Sequence, residues 1–480
     1  MIRYIIVVML AIFSCCCVWA QRVSKLVFTG EVNFGTNYRR KAPQNIEYDR
    51  QYDFAKEIFA SASATFTTLG TVLMDVDGTP NKSNMNGMER LMRMPEWYAR
   101  VLSGAGFTGV SLVDKHVADF GIEGLTSTTN AMRDNHLRFA GIKSLHEYEI
   151  FERRGMKYGF AAFGTAVHAS DMRDTVDIKR VVSMLDKECD IVVVAFSFRP
   201  QGFHINSIDG RGHVNTPYLS DAEVFARFCI DAGADIVYGN GDGNVHPMDL
   251  YKDRLIIYGM GRFCAPYVPS VSGEKKYAPV VEVSVFDDGT FKEGFVHSFR
   301  RTEQQSRLVL DAGKEAVKRM KVQTERDFPS SDLFISNEGE IHAKSQSARA
   351  LALKLVNEAE KHQGKRYRGG AMGPMVFDCS GFTSYVYLQL GIKLKRSSRD
   401  QYTEGVAVDK DNLMPGDLVF FKGSAASRTI GHVGMVVSVD KEGRTFKFIH
   451  ASPSRGIVID DFSRMAYYIK RYVGARRILN

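Results

Sequence analysis

Six consecutive apolar residues, Ile191-Val192-Val193-Val194-Ala195-Phe196, give a strand no polar side to turn toward water. Such a strand is buried, so the surrounding chain has to supply layers that cover it. The neighbouring sequence does so. Ile178 to Lys187 has helical spacing, and Val224 to Asp231 reads as a second helix. Lys25-Leu26-Val27-Phe28-Thr29-Gly30, Ala234-Asp235-Ile236-Val237-Tyr238-Gly239 and Leu255-Ile256-Ile257-Tyr258-Gly259 read as further strands. From about Val23 to Phe299 strands and helices alternate, which is the rhythm of an α/β layered domain. A domain of this size buries an ample core.

Ahead of it, Met1 to Ala20 has the pattern of an export signal. Arg3 supplies the positive start, Ile5 to Phe13 the short apolar core, and Val18-Trp19-Ala20 the cleavage site before Gln21. The expected location is therefore exported, periplasmic or bound to the cell envelope. Cys15, Cys16 and Cys17 raise a rival, lipid attachment at Cys15, which would tether the chain to a membrane. No later run is long and apolar enough for a transmembrane helix. The four remaining cysteines, Cys189, Cys229, Cys264 and Cys379, form no close pair and no C-x-x-C, so they are not a disulfide scaffold. Cys189 and Cys229 sit in apolar contexts that suit packing.

Cys379 differs. Tyr367-Arg368-Gly369-Gly370 and Gly373-Pro374 read as a loop, and Phe382, Tyr385, Val386, Leu388 and Leu390 then follow with helical spacing up to Gly391. Asp378-Cys379-Ser380-Gly381 falls between, so Cys379 is expected at a helix N-terminus. There the unpaired backbone N–H groups and the helix dipole favour a thiolate, the nucleophilic form. Two histidines sit in suitable contexts to act with it. Gly431 to Val439 reads as a strand with His432 near its start, and Phe446 to Ser452 as the next, with His450 at its end. Neighbouring antiparallel strands can bring both imidazoles to one side of a sheet, one to take the thiol proton and one to orient the first.

These pieces resemble a known family. From about Ser347 to Asn480 the chain is similar to the NlpC-type cell-wall cysteine peptidases, circularly rearranged relatives of papain. The resemblance rests on Asp378-Cys379-Ser380-Gly381, Leu413-Met414-Pro415-Gly416-Asp417-Leu418-Val419-Phe420-Phe421, Gly431-His432-Val433-Gly434 and His450-Ala451-Ser452, in the family's order. It implies an α+β papain-like fold, with Cys379 as nucleophile, His432 as base and His450 as the residue that orients it. It also implies that Asp378 and Ser380 lie at the substrate's polar end, that Tyr367 lies near the cleft, and that Arg396 and Ser397 face the substrate. No cofactor is needed. The implied reaction is hydrolysis of murein stem peptides, between the side-chain carboxyl of D-glutamate and the diamino acid, so the expected partner is the peptidoglycan stem peptide.

The first domain resembles the CapA-type proteins of poly-γ-glutamate capsule synthesis, which share the four-layer metallophosphatase fold. Ala105-Gly106-Phe107, Ser111-Leu112-Val113-Asp114-Lys115-His116, Asp119-Phe120-Gly121, Asp231-Ala232-Gly233-Ala234-Asp235 and Ile257-Tyr258-Gly259-Met260-Gly261-Arg262-Phe263 carry that likeness. The family's metal-ligand positions are altered: Glu31 stands for an Asp, Lys115-His116 for Asn-His, Ser197 before Phe198-Arg199 for a His, and Asn240-Gly241 for paired His. A two-metal site needs several carboxylate, amide and imidazole ligands, and a lysine inserts a fixed cation instead. The expectation is a domain without bound metal, serving as a binding or positioning module. The alternatives are a metal enzyme with a different ligand set, and a role in handling capsular poly-γ-glutamate or in binding the cell wall.

The expected organisation is a signal over 1–20, the CapA-like domain over 21–300, a linker over 301–345 and the peptidase over 346–480. Within the linker, Ser306 to Met320 reads as a charged helix and Leu333-Phe334-Ile335 as a strand that returns to the first domain. Ser347 is a plausible cap for a helix whose apolar face is Leu351, Leu355, Val356 and Ala359. From Ser347 onward there are 22 Lys and Arg against 12 Asp and Glu, a local charge of +10 in a chain of +8, which leaves the remainder at −2. No stacking-aromatic pattern accompanies clusters such as Lys393-Leu394-Lys395-Arg396, so nucleic acid is not the expected partner. A basic surface instead favours encounter with an anionic wall.

Overall fold

The computed structural model describes residues 22–37, 50–75, 78, 91–197, 217–264, 273–302, 308–440 and 445–479. The export signal, Cys15 and the Phe198-Arg199 pair lie outside the described residues. The chain divides into two compact units, Met1–Ala343 and Lys344–Asn480.

The first unit is built on two sheets. The larger, nine-stranded among the described residues, centres on Val23–Val32. This strand pairs antiparallel with Val280–Phe286 and parallel with Ala64–Leu69 and Arg262–Cys264. The second sheet runs Met248–Tyr251, Arg254–Ile257, Ile236–Asn240, Ile191–Ser197, Met156–Gly164, Tyr148–Arg153. The apolar run at 191–196 is explained by its position inside this sheet, where successive side chains point to opposite faces. Ile191, Val193 and Ala195 join Leu26, Phe28, Phe66, Phe160 and Tyr238 in the core between the sheets. Val192, Val194 and Phe196 pack outward on Ile178, Val181 and Leu185 of the helix Thr175–Glu188 and on Ala222, Phe225 and Cys229 of Pro217–Asp231. On the other side, Val27 and Val110 are covered by Tyr98 and Leu102 of Tyr98–Ala105 and by Leu125 and Met132 of Gly121–Asp134. The unit is therefore the expected layered α/β sandwich of helix, sheet, sheet and helix. Cys229 and Cys264 are fully buried in it, and their removal from water pushes both thiols well above their ordinary range.

The segment expected as a linker, 301–345, is part of this sandwich. Glu340–Ala343 pairs with Phe291–His297, and Leu333–Ile335 pairs with Glu340–Ala343, which extends the larger sheet by two strands. The charged helix is Glu315–Asp327, shifted toward the C-terminus from the expected position, and its Ala316, Val317 and Met320 are buried with Val296, Leu333 and Ile341. High charge on the exposed turns hid this apolar stripe.

The second unit has a six-stranded sheet in the order Val406–Val408, Tyr472–Arg477, Leu418–Lys422, Ile430–Asp440, Thr445–Ser452, Gly456–Asp461, with every pair antiparallel. Helices Lys344–Glu360 and Cys379–Leu388 bury Leu355, Ala359, Phe382 and Val386 against Leu418, Phe420, Val433, Met435 and Ile449 on one face. The opposite face is aromatic, with Phe421, Phe446, Phe448, Phe462 and Tyr468. This is the α+β arrangement expected. Ser347, read as a helix cap, lies within Lys344–Glu360 instead, because the helix begins three residues earlier. Among the described residues no helix is long and apolar enough to cross a membrane.

Two local features fix the sheet that carries His432. Met414-Pro415-Gly416-Asp417 turns into the strand Leu418–Lys422 with Gly416 at φ 90°, a left-handed conformation that suits glycine. Asp417 accepts from the Met414 N–H at 2.8 Å and from Arg477 at 2.9 and 2.8 Å. Gly431 and Gly434 flank His432 where the backbone runs close to its neighbours. A Cβ on Gly431 would lie 2.5 Å from the Gly423 Cα, and one on Gly434 would lie 2.7 Å from the Phe448 ring.

Candidate functional site

The helix Cys379–Leu388 begins where its cap ends the extended loop. Asp378 has an extended backbone and its Oδ1 accepts the Gly381 N–H at 2.6 Å, an N-cap bond that satisfies one of the helix's unpaired donors. Cys379 is thus the first helical residue, as its sequence context required. Asp378 has further partners. Its Oδ2 accepts from the Gly370 N–H at 2.9 Å, and Arg396 donates to Oδ1 at 3.1 Å and to Oδ2 at 2.6 Å. Arg396 also donates to the Ser380 Oγ at 3.0 Å. Asp378, Ser380 and Arg396 therefore form one network beside Cys379. Tyr367 lies within electrostatic reach of this network: burial raises its phenol, and the charges of Cys379 and Asp378 push the same way. Ser397 stands at the start of the next helix. It caps the short helix Ser398–Gln401, accepting from the Asp400 N–H at 3.2 Å and donating to the Asp400 carboxylate at 2.7 Å.

The strand that holds His432 runs past the sulfur. The backbone N–H groups of Val433, the residue after His432, of Ser380 and of Cys379 itself lie near the sulfur and favour its charged form. His432 Nε2 is 3.0 Å from His450 Nδ1, with the two rings nearly perpendicular. His450 is fully buried. Its Nε2 is 2.9 Å from Asp460 Oδ2, and Phe448 stacks on its ring at 4.8 Å. Arg455 holds Asp460 from the other side at 2.9 and 2.6 Å. Tyr468 stacks on His432 at 5.8 Å, and its hydroxyl is 3.5 Å from His450 Nδ1.

The electrostatics correct one expectation. Three N–H groups and the helix start favour a thiolate, yet removal from water raises the Cys379 thiol, and the neighbouring Asp378 charge adds to the rise. Removal from water pushes His432 down to about 3, with the charge of His450 acting in the same direction. His450 is also lowered, chiefly by burial. Burial thus opposes charge on the sulfur and on the imidazole alike.

This arrangement has a consequence for stability. Below pH 6.5, the ordinary imidazole value, unfolded chains take up protons that folded His432 and His450 refuse. Stability is therefore complete above that value and falls as pH drops from 6.5 toward 3. The limiting slope is about 1.4 kcal/mol per pH unit for each histidine. Melting curves across this window should show a shallower acid slope for His432→Asn than for the native protein. Equal slopes would rule out a His432 held neutral in the folded protein.

Asp460, Arg455 and Tyr468 escaped the sequence reading. Asp460 carries a partial signal: it follows the apolar run Ile457-Val458-Ile459 on the strand after that of His450, but Asp461 beside it is an equal candidate. In the folded sheet Asp460 sits opposite Phe448, two residues from His450. Nothing in Met465-Ala466-Tyr467-Tyr468 marks the second tyrosine over the first.

In the first unit the altered ligand positions have protein partners. Glu31 accepts from Asn33 at 3.1 Å and lies 3.7 Å from the Arg262 guanidinium. His116 Nδ1 is 2.9 Å from Asp119, and the Asn240 amide donates to Thr68 at 3.1 Å. Ser197 is buried at the end of its strand. Among the described residues no three His, Cys, Asp or Glu side chains converge as a metal ion requires.

Comparison with known proteins divides the chain in the same way. The family described as "Bacterial capsule synthesis protein PGA_cap" matches residues 25–267, and the "NlpC/P60 family" matches residues 364–477. "Probable endopeptidase p60" of Listeria grayi is 46% identical over 93 residues, which is 19% of this chain and 18% of that protein. "Gamma-DL-glutamyl hydrolase" of Bacillus subtilis (strain 168) is 36% identical over 126 residues, 26% of this chain and 29% of that protein. "Murein DD-endopeptidase MepS/Murein LD-carboxypeptidase" of Escherichia coli (strain K12) is 34% identical over 128 residues, 26% of this chain and 63% of that protein. The chain thus spans less than two thirds of each relative's length.

Proposed function

We propose, for a chain that belongs to the bacterial capsule synthesis PGA_cap family and also carries an NlpC/P60 family domain, that the second unit is a thiol hydrolase of murein stem peptides. The bond it cuts joins the side-chain carboxyl of D-glutamate to the diamino acid. One observation carries this reading: a cysteine at the start of a helix, its sulfur against the strand of His432, with His432 bonded to His450.

In the reaction His432 Nδ1 takes the thiol proton, and the Cys379 sulfur attacks the scissile carbonyl carbon. The backbone N–H of Cys379, which the helix ladder leaves unpaired, stabilises the oxyanion. His432 then protonates the leaving amine, a thioester forms, and His432 activates water to release the acid. His450 orients His432 throughout. Asp378, Ser380, Arg396 and Tyr367 bind the polar end of the substrate. The protein is exported and meets the wall, and the first unit acts as a non-catalytic binding or positioning module.

A second reading is favoured by the capsule family match and by the relative named gamma-DL-glutamyl hydrolase: a γ-linked glutamyl polymer as substrate. Mass spectrometry of digests separates the two. Purified muropeptides should yield fragments with a newly freed amine on the diamino acid, while poly-γ-glutamate of defined length stays intact. Shortened polymer beside intact muropeptides would replace the first reading with the second.

A further inference from the structure

The polar chain behind His432 continues past His450, and its far end has a defined chemistry. Arg455 donates from Nη1 to Asp460 Oδ1 at 2.9 Å and from Nη2 to Oδ2 at 2.6 Å. A fork of that kind keeps Asp460 ionised, and an ionised carboxylate only accepts hydrogen bonds. His450 Nε2, 2.9 Å from Oδ2, therefore donates. A neutral imidazole carries one proton, so His450 Nδ1 accepts. The partner at that nitrogen is His432 Nε2, at 3.0 Å, which accordingly carries its proton there. The Tyr468 hydroxyl, 3.5 Å from the same Nδ1, can add only another donor. His432 Nδ1 is left with its lone pair. A charged His450 would donate from both nitrogens and force the opposite arrangement. Complete burial opposes that charge; the Asp460 carboxylate favours it and the Arg455 cation opposes it, and the balance lies below the ordinary imidazole value, on the side of the neutral ring.

We infer that Asp460, clamped by Arg455, is a positioning residue that sets, through His450, which ring nitrogen of His432 holds the proton. The inference rests on the proposed thiol mechanism, because only that mechanism gives the Nδ1 lone pair a task. Asp460 touches neither substrate nor sulfur. It acts across two imidazoles, a longer relay than the usual carboxylate-to-histidine contact.

Asp460→Asn is the informative change. With its amide in the place of Oδ2 it faces His450 Nε2 as a donor and loses the Arg455 Nη2 bond, while its carbonyl oxygen in the place of Oδ1 keeps the bond from Arg455 Nη1. His450 must accept there and donate from Nδ1, which drives the His432 proton onto Nδ1. We expect kcat to fall about 10²–10⁴-fold, the scale of a wrong base tautomer, with KM within about threefold. Asp460→Glu, which restores a carboxylate, should recover at least about tenfold of that loss. Long-range proton–nitrogen NMR on the full chain labelled with ¹⁵N-histidine reads the proton position directly. The His432 signals are assigned by their loss in His432→Asn. The expected result is a proton on Nε2 of His432 in the native protein and on Nδ1 in Asp460→Asn. A proton on Nδ1 in the native protein, or unchanged kcat in Asp460→Asn, would overturn the assignment. Should Asp460→Asn not fold, the native spectrum and Asp460→Glu still decide. Failure of the thiol mechanism shows separately, as full activity in Cys379→Ala, and leaves the tautomer measurement standing.

Discussion

Cys379→Ala should abolish muropeptide cleavage, with a fall in kcat of about 10⁴-fold or more, the loss typical of a missing covalent nucleophile. No neighbouring group can replace the sulfur. Asp378 is fully engaged with Gly370, Gly381 and Arg396, and the Ser380 hydroxyl faces Arg396. The fold should survive, because the side chain is only partly buried and the N-cap bond that starts the helix belongs to Asp378. The measurement is product formation from purified muropeptides by mass spectrometry, beside a melting curve for each protein. Equal product from the variant, at equal melting temperature, would discard the thiol mechanism and the roles of His432 and His450 with it.

Arg477→Met should have the largest effect on stability in the second unit, about 3–5 kcal/mol. Arg477 sends two bonds to Asp417, whose side chain is only 3% exposed, and a third to the Asn412 carbonyl. Removing the guanidinium leaves a buried carboxylate without its cation, and that desolvated charge is the main cost. The turn before the strand Leu418–Lys422 loses its anchor at the same time. Urea unfolding of the second unit's transition gives the value. The double variant Arg477→Met with Asp417→Asn should regain part of the loss, because the stranded charge is gone. A change below about 0.5 kcal/mol would mean that the pair behaves as an ordinary surface salt bridge.

The layered fold of the first unit was legible because burial leaves a plain mark. The run at 191–196 is apolar on both faces, and both faces are covered. The helix start at Cys379 was legible for a similar reason: Asp378 is a good cap and the apolar spacing follows it. In the segment at 301–345 the strand Leu333–Ile335 and a charged helix were legible, but Glu340–Ala343 is only four residues long and the dense charge of the helix hid how deeply it is buried. Its apolar stripe of Ala316, Val317 and Met320 emerges only once a sheet edge is there to receive it. The upward push on the Cys379 thiol was hidden for a different reason. Helix position is local and readable, whereas loss of water depends on the strand of His432, more than fifty residues away in sequence. Asp460 belongs to the same class, since its meaning comes from sheet register and not from its neighbours in the chain.

Asp378 ties together the loop at Gly370, the helix at Gly381 and the arm at Arg396. One carboxylate thus acts as a keystone for a loop, a helix start and an arm that follow one another along the chain. The entropy of arranging them is spent when the chain folds, and little is left to spend when a ligand arrives. Association at this surface should behave like docking onto a finished mould, with a rate set by diffusion and charge and not by the closing of a loop.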